Sequence, residues 1–379
     1  MCLADQNVFR ARYEGSARCT SASGAGGVRG WNLAGRNTPR YAEHMTAVLR
    51  DRALGAFFGL AIGDALGMPT QCFSREMIAE RYGVLSGFEP APADNEISHG
   101  MAAGRVTDDT DQAVMIAELL IEGHGSVNPH QLAERFLAWQ HRMQARGSED
   151  LLGPSTIRAL TAVAAGTSPH ESGRWGDTNG AAMRIAPVGI ATPVHEVSTL
   201  VDAVVDASFV THNTGVALAG AAAVAAIVSA GISGFDWHDS IDLSFDAIAD
   251  GSTRGHYVPA PDMLARVQWA LDLVDENDEA TALNLIADLV GTSVATQESV
   301  PAAIAIAHLF RGDPWRAVRE AASIGGDCDT IAAMTGAMLG AHHGSEAFPI
   351  AVREQLLAVN AGLDPDELVD GLLQLRERA

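Results

Sequence analysis

Apolar residues recur at helical spacing along most of the chain beyond Met45. The stretches 113–121, 132–139, 157–165, 201–210, 263–274, 282–290, 302–310 and 331–339 each space their hydrophobic side chains three or four residues apart, which predicts helices. Gly, Pro, Asn and Asp punctuate the gaps between them. Alternating strand patterns are scarce, and no unit repeats at a fixed period. The pattern predicts one all-α domain over residues 45–379. Residues 1–44 lack sustained periodicity and are rich in Gly, Ser and Arg. They read as a disordered tail, with Met45 as an alternative start.

Two stretches break the ordinary amphipathic pattern. Gly55, Gly59, Gly63 and Gly67 fall every fourth residue in the first helix, so one face carries no side chains. Such a face costs about 1 kcal/mol of helix propensity per glycine and predicts a second backbone packed against it. Asp64 stands beside this face, and an acid in so apolar a helix requires a partner. The other stretch, 213–235, has no charged residue and is long enough to span a bilayer. It is mostly Ala, Gly and Val, with one Leu and no closely flanking Arg. That composition predicts a buried central helix and no membrane span.

Composition sharpens the picture. Hydrophobic residues make up 47% of the chain but aromatics only 6%, so the core is built of small side chains that let helices approach closely. The formal net charge of −22 repels phosphate backbones and argues against a nucleic-acid partner. All 25 basic residues are Arg, which excludes Schiff-base lysine chemistry and P-loop nucleotide hydrolysis. The four cysteines, Cys2, Cys19, Cys72 and Cys328, form no C-x-x-C pair, so neither a zinc site nor a disulfide framework is expected. With no apolar core of a secretory signal, the expected compartment is the cytoplasm.

The candidate chemistry lies in two acidic clusters more than 200 residues apart. Thr107-Asp108-Asp109-Thr110-Asp111 follows Gly104-Arg105 and opens an apolar helix. Gly325-Gly326-Asp327-Cys328-Asp329-Thr330 opens another. Helix capping explains one or two acids at such a position, because the N-terminus favours negative charge. It explains three acids in five residues less well. Asp108, Asp109, Asp327 and Asp329 supply four negative charges, which two divalent cations would neutralise. The donors are hard oxygens, which select Mg²⁺, Mn²⁺ or Ca²⁺ over zinc or copper.

These motifs resemble the ADP-ribosylglycohydrolase family. The matching stretches are Gly63-Asp64-Ala65-Leu66-Gly67, Thr107 to Thr110, Asn179-Gly180-Ala181-Ala182-Met183-Arg184, Thr211-His212, and Gly325-Gly326-Asp327 through Thr330. The resemblance implies an all-α fold with a centre of two Mg²⁺, for which Mn²⁺ can substitute. It implies metal ligands Thr107, Asp108, Asp109, Asp327, Asp329 and Thr330, and substrate contacts Gly153, Ser155, Asn179, Gly180 and His212. For His212 a core or capping role fits the sequence equally well.

One position departs from the family. Several members have Glu four residues after the last Gly of the Gly-Asp-Ala-Leu-Gly motif, where this chain has Gln71. A neutral amide is neither a base nor an anionic ligand. Catalysis then falls to Asp108, Asp109 and Asp329, with Gln71 orienting a water or a ribose hydroxyl. The implied activity is metal-dependent hydrolysis of an ADP-ribosyl glycosidic bond, on a protein side chain or a small ribosyl conjugate. A nucleoside or ribosyl-phosphate hydrolase, and a non-enzymatic protein that keeps the fold, stay open from sequence.

Overall fold

A computed structural model describes residues 39–145 and 152–379. The expectation for the N-terminal tail falls largely outside the described residues. The helices run α1 (Pro39–Gly67), α2 (Arg75–Tyr82), α3 (Asp108–Glu122), α4 (Pro129–Ala145) and α5 (Pro154–Ala164). Then come the short α6 (Pro169–Ser172), α7 (Gly180–Met183) and α8 (Ala186–Ala191), followed by α9 (Val197–Ser208), α10 (Gly215–Ser233) and α11 (Trp237–Gly251). The remainder is α12 (Met263–Asp275), α13 (Glu279–Leu285), α14 (Thr296–Leu309), α15 (Pro314–Ala321), α16 (Cys328–His343), α17 (Ile350–Val359) and α18 (Pro365–Arg376). Among the described residues there are only two isolated β-bridges, Thr178 with Ala295 and Thr214 with His256.

The predicted all-α fold holds, and each of the eight periodic stretches is helical over most of its length. Two ends differ. The stretch 201–210 overshoots, because α9 stops at Ser208 and the chain turns into the loop that carries Thr211 and His212. The stretch 282–290 splits, α13 giving way to a π-helical turn over Ile286–Val290. Hydrophobic spacing alone does not distinguish these two windings.

Helix α10 is the central element. Every residue from Ala217 to Ile232 is buried, and α7, α8, α9, α11, α14 and α16 all pack on it. A helix apolar on all sides has no other stable place in a globular chain. Thr214 caps its start by accepting from the Ala217 amide, and Gly234 at φ 90° ends it in the left-handed conformation.

The glycine face of α1 meets α16. A Cβ built on Gly59 would lie 2.0 Å from the Gly336 carbonyl oxygen, and one on Gly336 would lie 2.0 Å from that of Gly59. One turn away, a Cβ on Gly55 would lie 2.3 Å from the Gly340 oxygen, and one on Gly63 would lie 2.1 Å from the Ala332 oxygen. The two helices therefore run antiparallel with their backbones in contact. The seam ends at Gly67, where a Cβ would fall 2.3 Å from the Asp329 Cα. The missing side chains thus place the second acidic cluster directly against the end of α1.

Candidate metal centre and substrate pocket

Asp64 supplies the other half of this arrangement. It is fully buried near the end of α1. It accepts from the Thr107 amide at 3.0 Å, the Thr107 hydroxyl at 2.8 Å, and the amide and hydroxyl of Thr110. Burial raises its pKa to about 6 against the opposing pull of these hydrogen bonds. The N-terminus of α3 is thus held by a carboxylate from another helix, and Thr107 makes no side-chain cap of its own. Asp64 was legible as an acid needing a partner, but its role in holding the first cluster was not.

With both clusters fixed to α1, Asp108 and Asp109 from α3 meet Asp327, just before α16, and Asp329, in its first turn, around one pocket of about 140 Å³. Its wall also includes Gln71, Cys72, Gly153, Thr178, Asn179, Gly180 and Thr330. Two larger surface clefts, of about 400 and 340 Å³, gather no comparable set of acids. Asp111, the third acid of the first cluster, accepts from the Trp139 indole at 2.8 Å and is not part of this wall. The turn into α16 needs both Gly325 at φ 89° and Gly326 at φ 75°. A Cβ on Gly326 would meet the Thr292 carbonyl oxygen at 2.4 Å.

The electrostatics of this pocket are unfavourable for bare carboxylates. Burial, then the charges of neighbouring aspartates, hold Asp108, Asp109 and Asp329 well above the usual carboxylate range. Burial also raises Asp327, while hydrogen bonds from Asn179 and its neighbours pull it back. Some oxygens are satisfied. Gln112 donates to Asp108 Oδ2 at 2.8 Å, and Asn179 donates to Asp327 Oδ2 at 2.5 Å. The buried Asp109 Oδ1 and Asp329 Oδ1, one from each cluster, have no hydrogen-bond partner. Among the described residues no three acidic, imidazole or thiol groups stand close enough to cage one ion unaided. What suits the pocket to cations is the pair of orphaned carboxylate oxygens and the charge they share.

The structure separates the sequence-derived substrate contacts into two groups. Gly153, Asn179 and Gly180 line the pocket. Ser155 and His212 are not part of that wall. Ser155 is buried on the inner side of α5, and His212 is fully buried. The loop before Asn179 packs its glycines onto the 209–212 backbone, a Cβ on Gly176 falling 2.1 Å from the Thr211 oxygen. That packing draws His212 beneath Gly180, whose Cβ would lie 2.7 Å from the imidazole. Burial first, then the Arg184 and Arg158 charges, hold His212 well below the usual histidine range, so the ring is neutral. Gln71 lines the pocket, and among the described residues its carboxamide makes only a 3.4 Å contact to the Met68 oxygen.

Sequence reading missed a buried network behind this wall. Arg184 is fully buried and stacks over Phe136 at 4.8 Å. It donates to Gln112 Oε1 at 2.5 Å and to Thr211 Oγ1 at 2.6 Å. Burial lowers its pKa to about 9 against the pull of Asp108 and Asp109. A lone Arg in the apolar run 180–186 was the available signal.

The family model for ADP-ribosylglycohydrolase matches residues 45–379. The chain belongs to that family. It is 35% identical over 330 residues to the Escherichia coli protein YegU, covering 86% of this chain and 98% of that one. It is 32% identical over 170 residues to the ADP-ribosyl-[dinitrogen reductase] glycohydrolase of Rhodospirillum rubrum, covering 44% of this chain and 52% of the relative. A solved ADP-ribosylglycohydrolase-related protein complex superposes with a TM-score of 0.58 at 26% identity, over 87% of this chain and 99% of the solved one. Membership places the chain among the hydrolases of ADP-ribosyl glycosidic bonds.

Proposed function

We propose that this ADP-ribosylglycohydrolase family member is a cytoplasmic, metal-dependent enzyme that removes ADP-ribose from a protein side chain or a small ribosyl conjugate. Asp108, Asp109, Asp327 and Asp329, with Thr107 and Thr330, would hold two Mg²⁺ ions, or Mn²⁺ in their place. The observation that carries this reading is the convergence of two distant acidic clusters on one pocket, each contributing a buried carboxylate oxygen without a partner. When bound, such ions neutralise the four carboxylates, polarise ribose hydroxyls and lower the pKa of water. Asn179 fixes Asp327 and Gln112 fixes Asp108, so one oxygen of each ligand is held and the pocket geometry is set before substrate arrives. Gly153, with nothing within 4 Å of where a Cβ would stand, lets a sugar approach the backbone. Water attacks the anomeric carbon as the bond to the leaving group breaks, and nearby carboxylates stabilise the positive charge that develops on the ring.

The test is a hydrolysis screen of Arg-linked, Ser-linked and phosphate-linked ADP-ribose together with ribosyl phosphates and nucleosides, with and without Mg²⁺. Release of ADP-ribose only with metal is expected. Cleavage confined to nucleosides or ribosyl phosphates would replace the substrate assignment, and no cleavage of any member would remove the enzymatic one.

Two further outcomes follow from the same site. Chelation should lower the melting temperature by several degrees, and Mg²⁺ or Mn²⁺ should restore it, because an ion at a hundred times its Kd stabilises the native state by about 2.7 kcal/mol. A melting curve indifferent to saturating metal would count against the paired clusters. Gln71→Ala should lower kcat/KM only about threefold to tenfold, the loss of one orienting hydrogen bond. Gln71→Glu adds a fifth acid to the pocket and should alter the ranking of linkages in the screen. Complete loss of hydrolysis in Gln71→Ala with metal binding intact would move Gln71 to the centre of the chemistry.

A further inference from the structure

The buried network behind the pocket has a direction, and the direction has a consequence at the substrate. Arginine only donates hydrogen bonds. Arg184 Nη1 therefore fixes the Gln112 amide with its oxygen toward the guanidinium and its NH₂ toward Asp108. On the other side, Arg184 Nη2 donates to Thr211 Oγ1. Thr211 is fully buried, and its hydroxyl has one other partner among the described residues, His212 Nδ1 at 2.8 Å. A second donor from His212 would leave the Thr211 proton buried with no acceptor, an arrangement that is costly in a protein interior. The satisfied arrangement has Thr211 donating to Nδ1. A neutral His212 then carries its proton on Nε2 and donates it to Thr178 Oγ1 at 3.1 Å.

Thr178 is half-buried and lines the same pocket as the four aspartates. Its backbone is held by the bridge to Ala295. Among the described residues His212 Nε2 is the sole hydrogen-bond partner of its hydroxyl. Having accepted from the imidazole, the hydroxyl must direct its own proton elsewhere, and the pocket is the open side. The geometry points to Thr178 as a substrate-binding hydrogen-bond donor, aimed at an acceptor oxygen of the ribosyl diphosphate, with Arg184 as the positioning residue that sets its polarity. His212 then acts on substrate through Thr178. This rests on the ADP-ribosyl reading for the identity of the ligand but not for the direction of the network.

Two measurements test it on the full chain. The first is calorimetric titration of the Mg²⁺-loaded protein with ADP-ribose. Thr178→Val keeps the shape and removes the donor, so Kd should rise about tenfold. Thr178→Ser restores the hydroxyl and should bind within about twofold of the original. Equal affinity in Thr178→Val overturns the assignment. The second needs no ligand. Nitrogen NMR of histidine-labelled protein, with the His212 signals identified by their loss in His212→Asn, should show a neutral ring protonated at Nε2. Protonation at Nδ1 overturns the polarity. Failure of the original protein to bind ADP-ribose would strike the ligand class, and the imidazole spectrum would still decide the network.

Discussion

Changing any one of Asp108, Asp109, Asp327 or Asp329 to Asn is expected to lower kcat/KM by about a hundredfold or more while leaving the fold intact. Each substitution keeps the side-chain shape and removes one anionic oxygen from a centre whose four charges come from these residues. The fold should survive because the charged form is already disfavoured. Burial and neighbouring charges push the acids toward protonation, so one neutral amide relieves repulsion in the metal-free protein. The melting temperature in chelator should therefore be equal to or above that of the original, and the gain on adding Mg²⁺ should shrink. Asp109 and Asp329 should show the largest losses, since each presents an oxygen with no competing partner. Asp108 and Asp327 share theirs with Gln112 and Asn179. Near-normal turnover in all four variants would sink the assignment of this pocket.

Gly59→Ala should have the largest effect on stability, a loss of about 3 kcal/mol or more. In an isolated helix the same change is favourable by about 1 kcal/mol. Here the new methyl would lie 2.0 Å from the Gly336 carbonyl oxygen and 2.4 Å from its carbon, both backbone atoms, with the Phe348 ring at 3.0 Å. Gly336→Ala meets Gly59 in the same manner and should cost a similar amount. Gly87→Ala is the control, because nothing lies within 4 Å of its Cβ, and it should stay within about 0.5 kcal/mol. Chemical denaturation of the three variants decides the matter. A neutral Gly59→Ala would mean that α1 and α16 do not meet backbone to backbone.

The glycine stripe shows what a sequence of this kind reveals. A run of glycines at helical spacing announces a close backbone approach, because nothing else repays the lost propensity, and α16 fulfils it. The acidic clusters were legible for a related reason, since three acids in five residues exceed what a helix terminus needs. Asp111 was the exception, and its Trp139 partner lies 28 positions away in the chain. The short helices α7 and α8 left no periodic trace, because four to six residues complete barely more than one turn. The placement of His212 was also hidden. Whether an imidazole after Thr211 faces a pocket or sits beneath its wall depends on Gly173 and Gly176, which pack on it from another loop. The direction of the Arg184 network was out of reach as well, because it joins Gln112, Thr211, His212 and Thr178 from three separate stretches of chain.

The two halves of the centre share a single datum. Asp64 grips the first cluster and Gly67, three residues on, seats the second. Intervening loops that touch neither cluster can then lengthen, shorten or be exchanged without moving one set of acids relative to the other, provided the seam with α16 and the contacts from Gln112, Asn179 and Thr292 are kept. The seam is backbone against backbone, so no side-chain torsion within it can let the register drift. A scaffold of this kind separates two evolutionary tasks. The spacing of the two acidic clusters is held by a few glycines and one buried acid, while the pocket walls that touch neither cluster are free to diverge.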